Sequence, residues 1–377
     1  MDPAALKNSW ALVANAGDEV PLFFYSHLFL SHPEVREMFP VSMAAQRDKL
    51  VTALGAVVSN ATQLDEVVPF LQQLGRDHRR FGAVAEHYSA VGASLLATLQ
   101  HFLGAAWTSE LAADWAEAYG LVATVMVQAA EESAEEAPAW WPGEVLGVDR
   151  RTMDVTVVQI HPERPLDYRP GQSVAVEIPY RPRRWRYFSP ANAPRSDGSF
   201  ELHIGLVPGG QVSGPAVRSL KRGDPVRIGA PVGESLKLPE DTGRDLVMIA
   251  GGTGLAPFRA MLEQLDRRSS AVPRVHLFHG ARMPWNLYEH KQLTNLTQRP
   301  WFSYTPVVSD DTSYPGHRGQ VGAVAAAQGP WPGRSALVCG SPAMVRHTVA
   351  ALTGAGVLAT DIHTETLGIT TSAGSEQ

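Results

Sequence analysis

The chain is 377 residues long and carries a formal net charge of −6 at pH 7. That length allows two or three hydrophobic cores, since single domains run to about 100 to 200 residues, and the acidic balance gives no electrostatic reason to expect nucleic acid as a partner. One cysteine, Cys339, excludes an internal disulfide framework, a cysteine zinc cluster and a cysteine-held iron–sulfur cluster.

The N-terminal MDPAALKNSW has no basic segment leading into an apolar run, and no stretch approaches the roughly 20 apolar residues that span a bilayer. The expectation is a soluble cytoplasmic protein without integral membrane association and with no obligate protein partner evident. Residues 1 to 135 hold 5 of the 28 prolines and 7 of the 33 glycines, so the first segment reads as helical and the remainder as turn-rich. Leu111, Trp115, Ala118, Tyr119, Val122, Val125, Met126 and Ala129 recur at the three- and four-residue steps of one buried helix face. Pro33 and Pro69 sit near expected helix starts, and Thr62 with Asp65 makes a capping pattern. Six or seven helices are expected, ending in an acidic run (Glu131, Glu132, Glu135, Glu136) and the junction APAWWPG.

From Glu144 to about Leu238 the pattern changes to short β-rich runs such as VTVVQI and SVAVEIP between prolines and glycines, as in a small antiparallel barrel. After Asp245, strands alternate with helices: DLVMIA, PFRAMLEQLDRR, RVHLFHG, SALVCG and PAMVRHTVAALTG. That order indicates a doubly wound parallel sheet. The expected organisation is three domains, 1–137 all-α, 138–240 antiparallel β-barrel and 241–377 α/β.

The glycine loops carry the chemistry. Gly251, Gly252 and Gly254 lie between an apolar strand and a helix opened by Pro257, so bare N–H groups and a helix N-terminus can receive a pyrophosphate. Upstream, RYFSPAN (Arg186 to Asn192) follows a cluster of arginines, and VPGGQVSGP supplies Gly209, Gly210, Gln211, Val212 and Ser213, a second turn suited to phosphate. CGSP, from Cys339, is a third strand-to-helix turn.

Together these pieces resemble flavoproteins of the ferredoxin reductase type over about residues 143 to 377. The resemblance implies FAD held by Arg186 and Ser213 at its pyrophosphate, with Tyr187, Phe188 and Ser189 in the barrel motif, the last two against the isoalloxazine. It also implies NAD(P)H received by Gly251, Gly252, Thr253 and Gly254, with Cys339 and Gly340 near the nicotinamide. The strand that ends HGAR carries Arg282 where NAD-selective domains carry an acidic residue, so NADH and NADPH both stay open.

The helical segment is similar to the globin domain of bacterial flavohaemoglobins through FYSHLFLSHPEVREMFP, QRDKLVTALG and LGRDHRRFGAVAEHYSAVGASLLATL. That resemblance implies haem b with His78 as iron ligand, Tyr25 as distal tyrosine and Phe39 against the porphyrin. Gln46 and Leu50 would face the gas ligand, and Tyr88 with Glu132 would hydrogen-bond the proximal imidazole, a carboxylate partner raising its basicity. The implied reaction is nitric oxide dioxygenation, NO and O2 becoming nitrate with electrons from NAD(P)H through FAD. The alternatives are a flavin oxidase or haem reductase of other substrate, and an oxygen-binding or sensing globin. In the C-terminal IHTETLG, Glu365 keeps the family's acidic residue while Leu367 stands where an aromatic usually covers the flavin.

Overall fold

The computed structural model describes residues 1–59, 64–238, 243–268 and 272–365. The chain divides into two compact units at Trp140 and Trp141. In the first, α1 (Pro3–Ala14) is capped by the Asp2 carboxylate, which accepts the N–H groups of Ala4 and Ala5. There follow α2 (Glu19–Ser31), α3 (Ala44–Ser59), α4 (Leu64–His78), α5 (Ala85–Leu103) and α6 (Ser109–Glu136). Pro33 opens a short 3-10 helix, as expected. Pro69 lies inside α4, near its start. Its missing N–H would have paired with residue 65, still near the helix start, so few bonds are lost. The Thr62 capping pattern lies outside the described residues.

The long α6 is entered through the Thr108 hydroxyl, which accepts the Leu111 N–H. Its buried stripe runs through Trp115, Met126 and Ala129, on the face that the apolar spacing predicts. Helices α4 and α6 cross at Gly75, where an added Cβ would meet the Met126 backbone, its Cα only 2.8 Å away. Val67, Leu71 and Met126 form the core at that crossing, with Leu74, Tyr88, Val122 and Val125 packed on it.

The second unit holds two sheets. Strands β1 (Trp141–Arg150), β2 (Val155–Pro162), β3 (Ser173–Glu177), β4 (Trp185–Phe188), β5 (Phe200–Gly205) and β6 (Pro225–Val232) pair antiparallel in the order β4-β3-β6-β1-β2-β5. Beyond β4, Pro190 bridges Leu202 of β5, so the two edges meet and the sheet curls as the barrel expectation requires. Helix α7 (Ser213–Ser219) covers the β5 to β6 connection.

The α/β half follows as β7 (Leu246–Gly251), α8 (Ala256–Asp266), β8 (Val275–Ala281), α9 (His290–Leu296), β9 (Phe302–Val308), β10 (His317–Arg318), α10 (Val321–Ala327), β11 (Ser335–Cys339), α11 (Pro342–Gly354) and β12 (Ile362–Thr364). Its order is β10-β9-β8-β7-β11-β12, every pair parallel. Alternate residues of β7 serve two cores: Met248 packs with Phe258 and Leu277 on one face, Val247 and Ile249 with Phe278 and Ala325 on the other. Both faces are covered, which is why these strands read as unbroken apolar runs. The direction of winding reverses between β7 and β11, and the C-terminal edge at such a reversal is where an open α/β sheet receives ligands.

The α4–α6 crossing tolerates no side chain at Gly75. Gly75→Ala should destabilise the helical unit by about 1 to 3 kcal/mol, the usual cost of overpacking a tight contact. Gly120→Ala, at an exposed position of α6 with open space around it, should be neutral or stabilising by up to about 1 kcal/mol. Thermal unfolding followed by helical circular dichroism distinguishes the two; equal melting temperatures would mean that the helices do not cross at Gly75.

Candidate functional site

The two strand-to-helix turns of the parallel sheet lie side by side. At Gly254 an added Cβ would sit 2.6 Å from the Cys339 carbonyl carbon and 2.7 Å from the Gly340 nitrogen, so only glycine lets the β7 and β11 turns close on each other. Gly252 adopts φ +54°, in the left-handed region. Pro257 is buried in the first turn of α8, and Ser341 caps α11 by accepting the Met344 N–H. Arg282 is exposed just beyond the end of β8. On the barrel side, Gly205 at the end of β5 faces Thr253, whose hydroxyl oxygen would be 3.3 Å from a Cβ there.

At this seam four polar side chains converge. The Ser173 and Ser189 hydroxyls are 2.9 Å apart, and both reach Oε1 of Glu365, Ser189 at 3.3 Å. The buried Cys339 thiol donates to Oε2 of Glu365 at 3.4 Å. Burial and the neighbouring carboxylate push that thiol well above its usual range, so it stays protonated and serves as a donor. The sequence had singled out Ser189, Cys339 and Glu365. Ser173 was missed because, inside the SVAVEI run, nothing separates it from an ordinary strand serine. Leu367 lies outside the described residues.

Other expected residues take up local positions. Arg186 donates from Nη1 to the Trp185 carbonyl at 2.9 Å, and Tyr187 and Phe188 complete β4, all part-buried. Ser213 opens α7 and its hydroxyl accepts the Val207 N–H at 3.1 Å, which holds the Gly209–Gly210–Gln211–Val212 turn closed. Gly209 has φ +76°, and Val212 is buried beneath the turn.

Beneath the seam lies a buried network that the sequence reading did not find. The Glu289 carboxylate, 3% exposed, pairs with Arg151 from the barrel at 3.1 Å and with Arg259 of α8 at 3.3 Å. Next to it, the Tyr288 hydroxyl is 2.9 Å from Nδ1 of His203 on β5, and His279 on β8 contacts the Tyr288 ring edge-on at 5.9 Å. His279 places Nε2 3.1 Å from the Gly252 carbonyl.

In the helical unit, Tyr25 is buried and its hydroxyl donates to the Gln46 carbonyl across a long 3.4 Å. Burial pushes its ionisation up to about 12. Phe39 meets Tyr25 edge-on at 5.5 Å, and Leu50 packs on the same apolar cluster. The structure therefore brings Tyr25, Phe39, Gln46 and Leu50 together. His78 ends α4 with Nδ1 2.6 Å from the Leu74 carbonyl. A carbonyl only accepts, so Nδ1 carries the proton and Nε2 keeps its lone pair. Desolvation lowers the affinity of the ring for a second proton. A neutral imidazole with its orientation fixed from behind fits an iron ligand.

The proximal pair requires a correction. Tyr88 lies beside His78, ring centroids 6.4 Å apart, with its hydroxyl buried and without a partner. Glu132 does not approach the imidazole: it is exposed and accepts from Gln128 one turn earlier. The inward stripe of α6 continues from Met126 and Ala129 to Ser133, which accepts a hydrogen bond from Arg79, and a 100° step leaves position 132 off the edge of that stripe. The position behind the imidazole belongs to a backbone carbonyl instead.

A globin family model matches residues 22–126, an oxidoreductase FAD-binding domain residues 146–236 and an oxidoreductase NAD-binding domain residues 248–350. The Bacillus subtilis flavohemoprotein is 28% identical over 271 residues, covering 68% of this chain and 68% of that protein. That of Halalkalibacterium halodurans is 27% identical over 315 residues, covering 78% and 75%. The fold matches the crystal structure of a Malassezia yamatoensis flavohemoglobin with bound FAD and heme, TM-score 0.76 at 18% identity over 96% of this chain and 97% of that one. An Amycolatopsis cytochrome P450 reductase also matches, TM-score 0.55 at 31% identity over 60% of this chain and 69% of that one. The molecule is thus an oxidoreductase in which a globin is fused to FAD-binding and NAD-binding domains, and haem, FAD and a nicotinamide dinucleotide are the cofactors of those domains. The chain belongs to the flavohaemoprotein family.

The buried histidines make stability pH-dependent. Burial lowers His279 and His276 to about 4 and His203 to about 3, below the roughly 6.5 of an unfolded histidine. The stabilisation is complete above pH 6.5 and is lost as pH falls toward 4, because the unfolded chain then binds protons that the fold refuses. The fully buried His279 alone contributes on the order of 3 kcal/mol at neutral pH. Denaturant midpoints of the sheet-containing unit should be flat above pH 7 and drop steeply between pH 6.5 and 5; a flat profile through pH 5 would show that these rings are charged or hydrated in the fold.

Proposed function

We propose that the chain is a nitric oxide dioxygenase: two NO and two O2 become two nitrate as one NAD(P)H is oxidised and one proton is released. The observation that carries this reading is Tyr25. Its hydroxyl is buried, remains protonated and is held by a single long hydrogen bond at 3.4 Å, so it is free to turn and donate to a small, partly anionic ligand. Haem, when bound, supplies the iron on which oxygen and nitric oxide meet.

In this reading His78 holds the iron through Nε2 while the Leu74 carbonyl fixes its tautomer. Phe39 lies against the porphyrin, Gln46 and Leu50 border the gas site, and Tyr88 backs the proximal side. Arg186 and the Gly209–Ser213 turn hold the FAD pyrophosphate, with Tyr187, Phe188 and Ser189 toward the flavin ring. The Gly251–Gly254 turn and Pro257 at the α8 start receive the nicotinamide dinucleotide, with Cys339, Gly340 and Glu365 nearest the nicotinamide. Arg282 lies at the strand end that separates NADPH from NADH users.

The test is anaerobic reduction of the purified protein with NADH or NADPH, followed by oxygen and then nitric oxide. Nitrate stoichiometric with the nitric oxide consumed supports the reading; hydrogen peroxide as the main product, whether or not nitric oxide is present, overturns it. His78→Ala should be purified with FAD but little haem, read from the Soret band. Tyr25→Phe should retain haem and release oxygen roughly tenfold faster or more, since a hydrogen bond to a charged acceptor contributes about 1.5 to 3 kcal/mol. Normal haem content in the first variant removes the ligand assignment, and an unchanged oxygen off-rate in the second removes the distal one.

A further inference from the structure

The Gly252 carbonyl at the dinucleotide turn points into the protein rather than toward the open edge of the sheet. It belongs to the one-turn 3-10 helix Gly252–Leu255, and Nε2 of His279 reaches it from the neighbouring strand β8 at 3.1 Å. Because a carbonyl only accepts, Nε2 carries the hydrogen and the Nδ1 of a neutral ring is a bare acceptor, here buried and without a partner. The His279 side chain is wholly buried, so its single hydrogen bond is not in competition with water. The Gly252–Thr253 peptide is trans. In a trans peptide the carbonyl and the following N–H point in opposite directions, so holding the Gly252 carbonyl inward turns the Thr253 N–H outward.

The hold continues across the seam. His279 packs on the edge of Tyr288 at 5.9 Å, and Tyr288 is fixed by a 2.9 Å hydrogen bond to Nδ1 of His203 on the barrel strand β5. Tyr288 stays protonated, since burial raises it well above its usual range, and its hydroxyl shares this hydrogen bond with His203, whose tautomer decides which of the two donates. One line of contacts therefore links the barrel to the carbonyl that sets the orientation of the turn.

We propose that His279 is a positioning residue for the nicotinamide dinucleotide, which by fixing the Gly252 carbonyl presents the Thr253 N–H to the pyrophosphate, with Tyr288 and His203 bracing it against the flavin barrel. The proposal rests on the reading that the Gly251–Gly254 turn receives the dinucleotide.

The experiment is anaerobic stopped-flow reduction of the FAD in the full-length holoprotein by NADH and by NADPH, giving a half-saturating concentration and a limiting rate. His279→Met keeps the volume but loses the donor, and should raise the half-saturating concentration roughly tenfold with the limiting rate within a factor of about two. His279→Gln places an amide N–H near the position of Nε2 and should recover most of that loss. Tyr288→Phe keeps the ring without the hydroxyl and should raise the half-saturating concentration by about threefold. FAD and haem contents measured on the same samples report on folding.

A His279→Met protein with parental half-saturation, or a His279→Gln protein impaired as much as His279→Met, overturns the proposal. If His279→Met fails to retain FAD, the Gln and Tyr288→Phe variants decide, and parental behaviour in Tyr288→Phe removes the bracing line. Thr253→Glu places a negative charge on the turn and separates this failure from that of the underlying reading: unchanged NAD(P)H binding in Thr253→Glu means that the turn does not receive the dinucleotide. Impairment there beside a normal His279→Met rejects the positioning role alone.

Discussion

The sheet-containing unit depends on one close approach, the backbone of Gly254 against the backbone of Cys339 and Gly340. Two parallel strands that diverge into helices on opposite faces leave a crevice at their C-terminal ends, and the width of that crevice is set by how nearly the two turns can meet. Here they meet at van der Waals contact because position 254 has no side chain. That closeness brings Cys339 up to Glu365, and Glu365 in turn to Ser173 and Ser189 on the barrel. The polar cluster is therefore a consequence of the backbone packing and not of any one motif.

A comparable constraint operates in the helical unit, where α4 and α6 touch at Gly75. It places His78, at the end of α4, beside Tyr88 and the inward face of α6. The ring is then oriented by the Leu74 carbonyl four residues earlier in the same helix. A neutral carbonyl polarises the imidazole N–H less than a carboxylate does. If His78 holds haem iron as proposed, it would be a weaker electron donor than the carboxylate-backed arrangement that the resemblance implied. Stabilisation of a partly anionic ligand would then fall to Tyr25, whose buried hydroxyl stays protonated.

What the sequence made legible, and what it hid, follows from the range of the interactions involved. The glycine turns and the barrel-to-α/β change are local signals, because φ restrictions, helix starts and apolar periodicity act within a few residues; His78 was singled out among the helical histidines only by the resemblance to globins. Glu132 illustrates the limit. Four glutamates crowd the end of α6, and which of them faces inward depends on helix phase accumulated from Trp115 onward; the buried stripe selects Ser133 instead. Pro69 was legible by contrast, since a proline costs little only early in a helix and so marks a nearby start. Ser173, His203, Tyr288 and Glu289 were hidden because each acquires meaning only from a partner distant in sequence: Glu365 for Ser173, and Arg151 for Glu289.

The distribution of charge across the seam separates two kinds of environment. Around Glu365 a part-exposed carboxylate is surrounded by two hydroxyls and a thiol, all buried neutral donors. Beneath it, Glu289 is buried but compensated by Arg151 and Arg259, and the adjacent His203, His279 and Tyr288 are held neutral by burial. An uncompensated charge at that depth would cost several kcal/mol, so the layer that braces the turn is kept electrically quiet. The carboxylate with the neutral donor set is the more exposed of the two. The two turns are therefore fixed by a scaffold in which the buried carboxylate is paired and the buried rings are neutral.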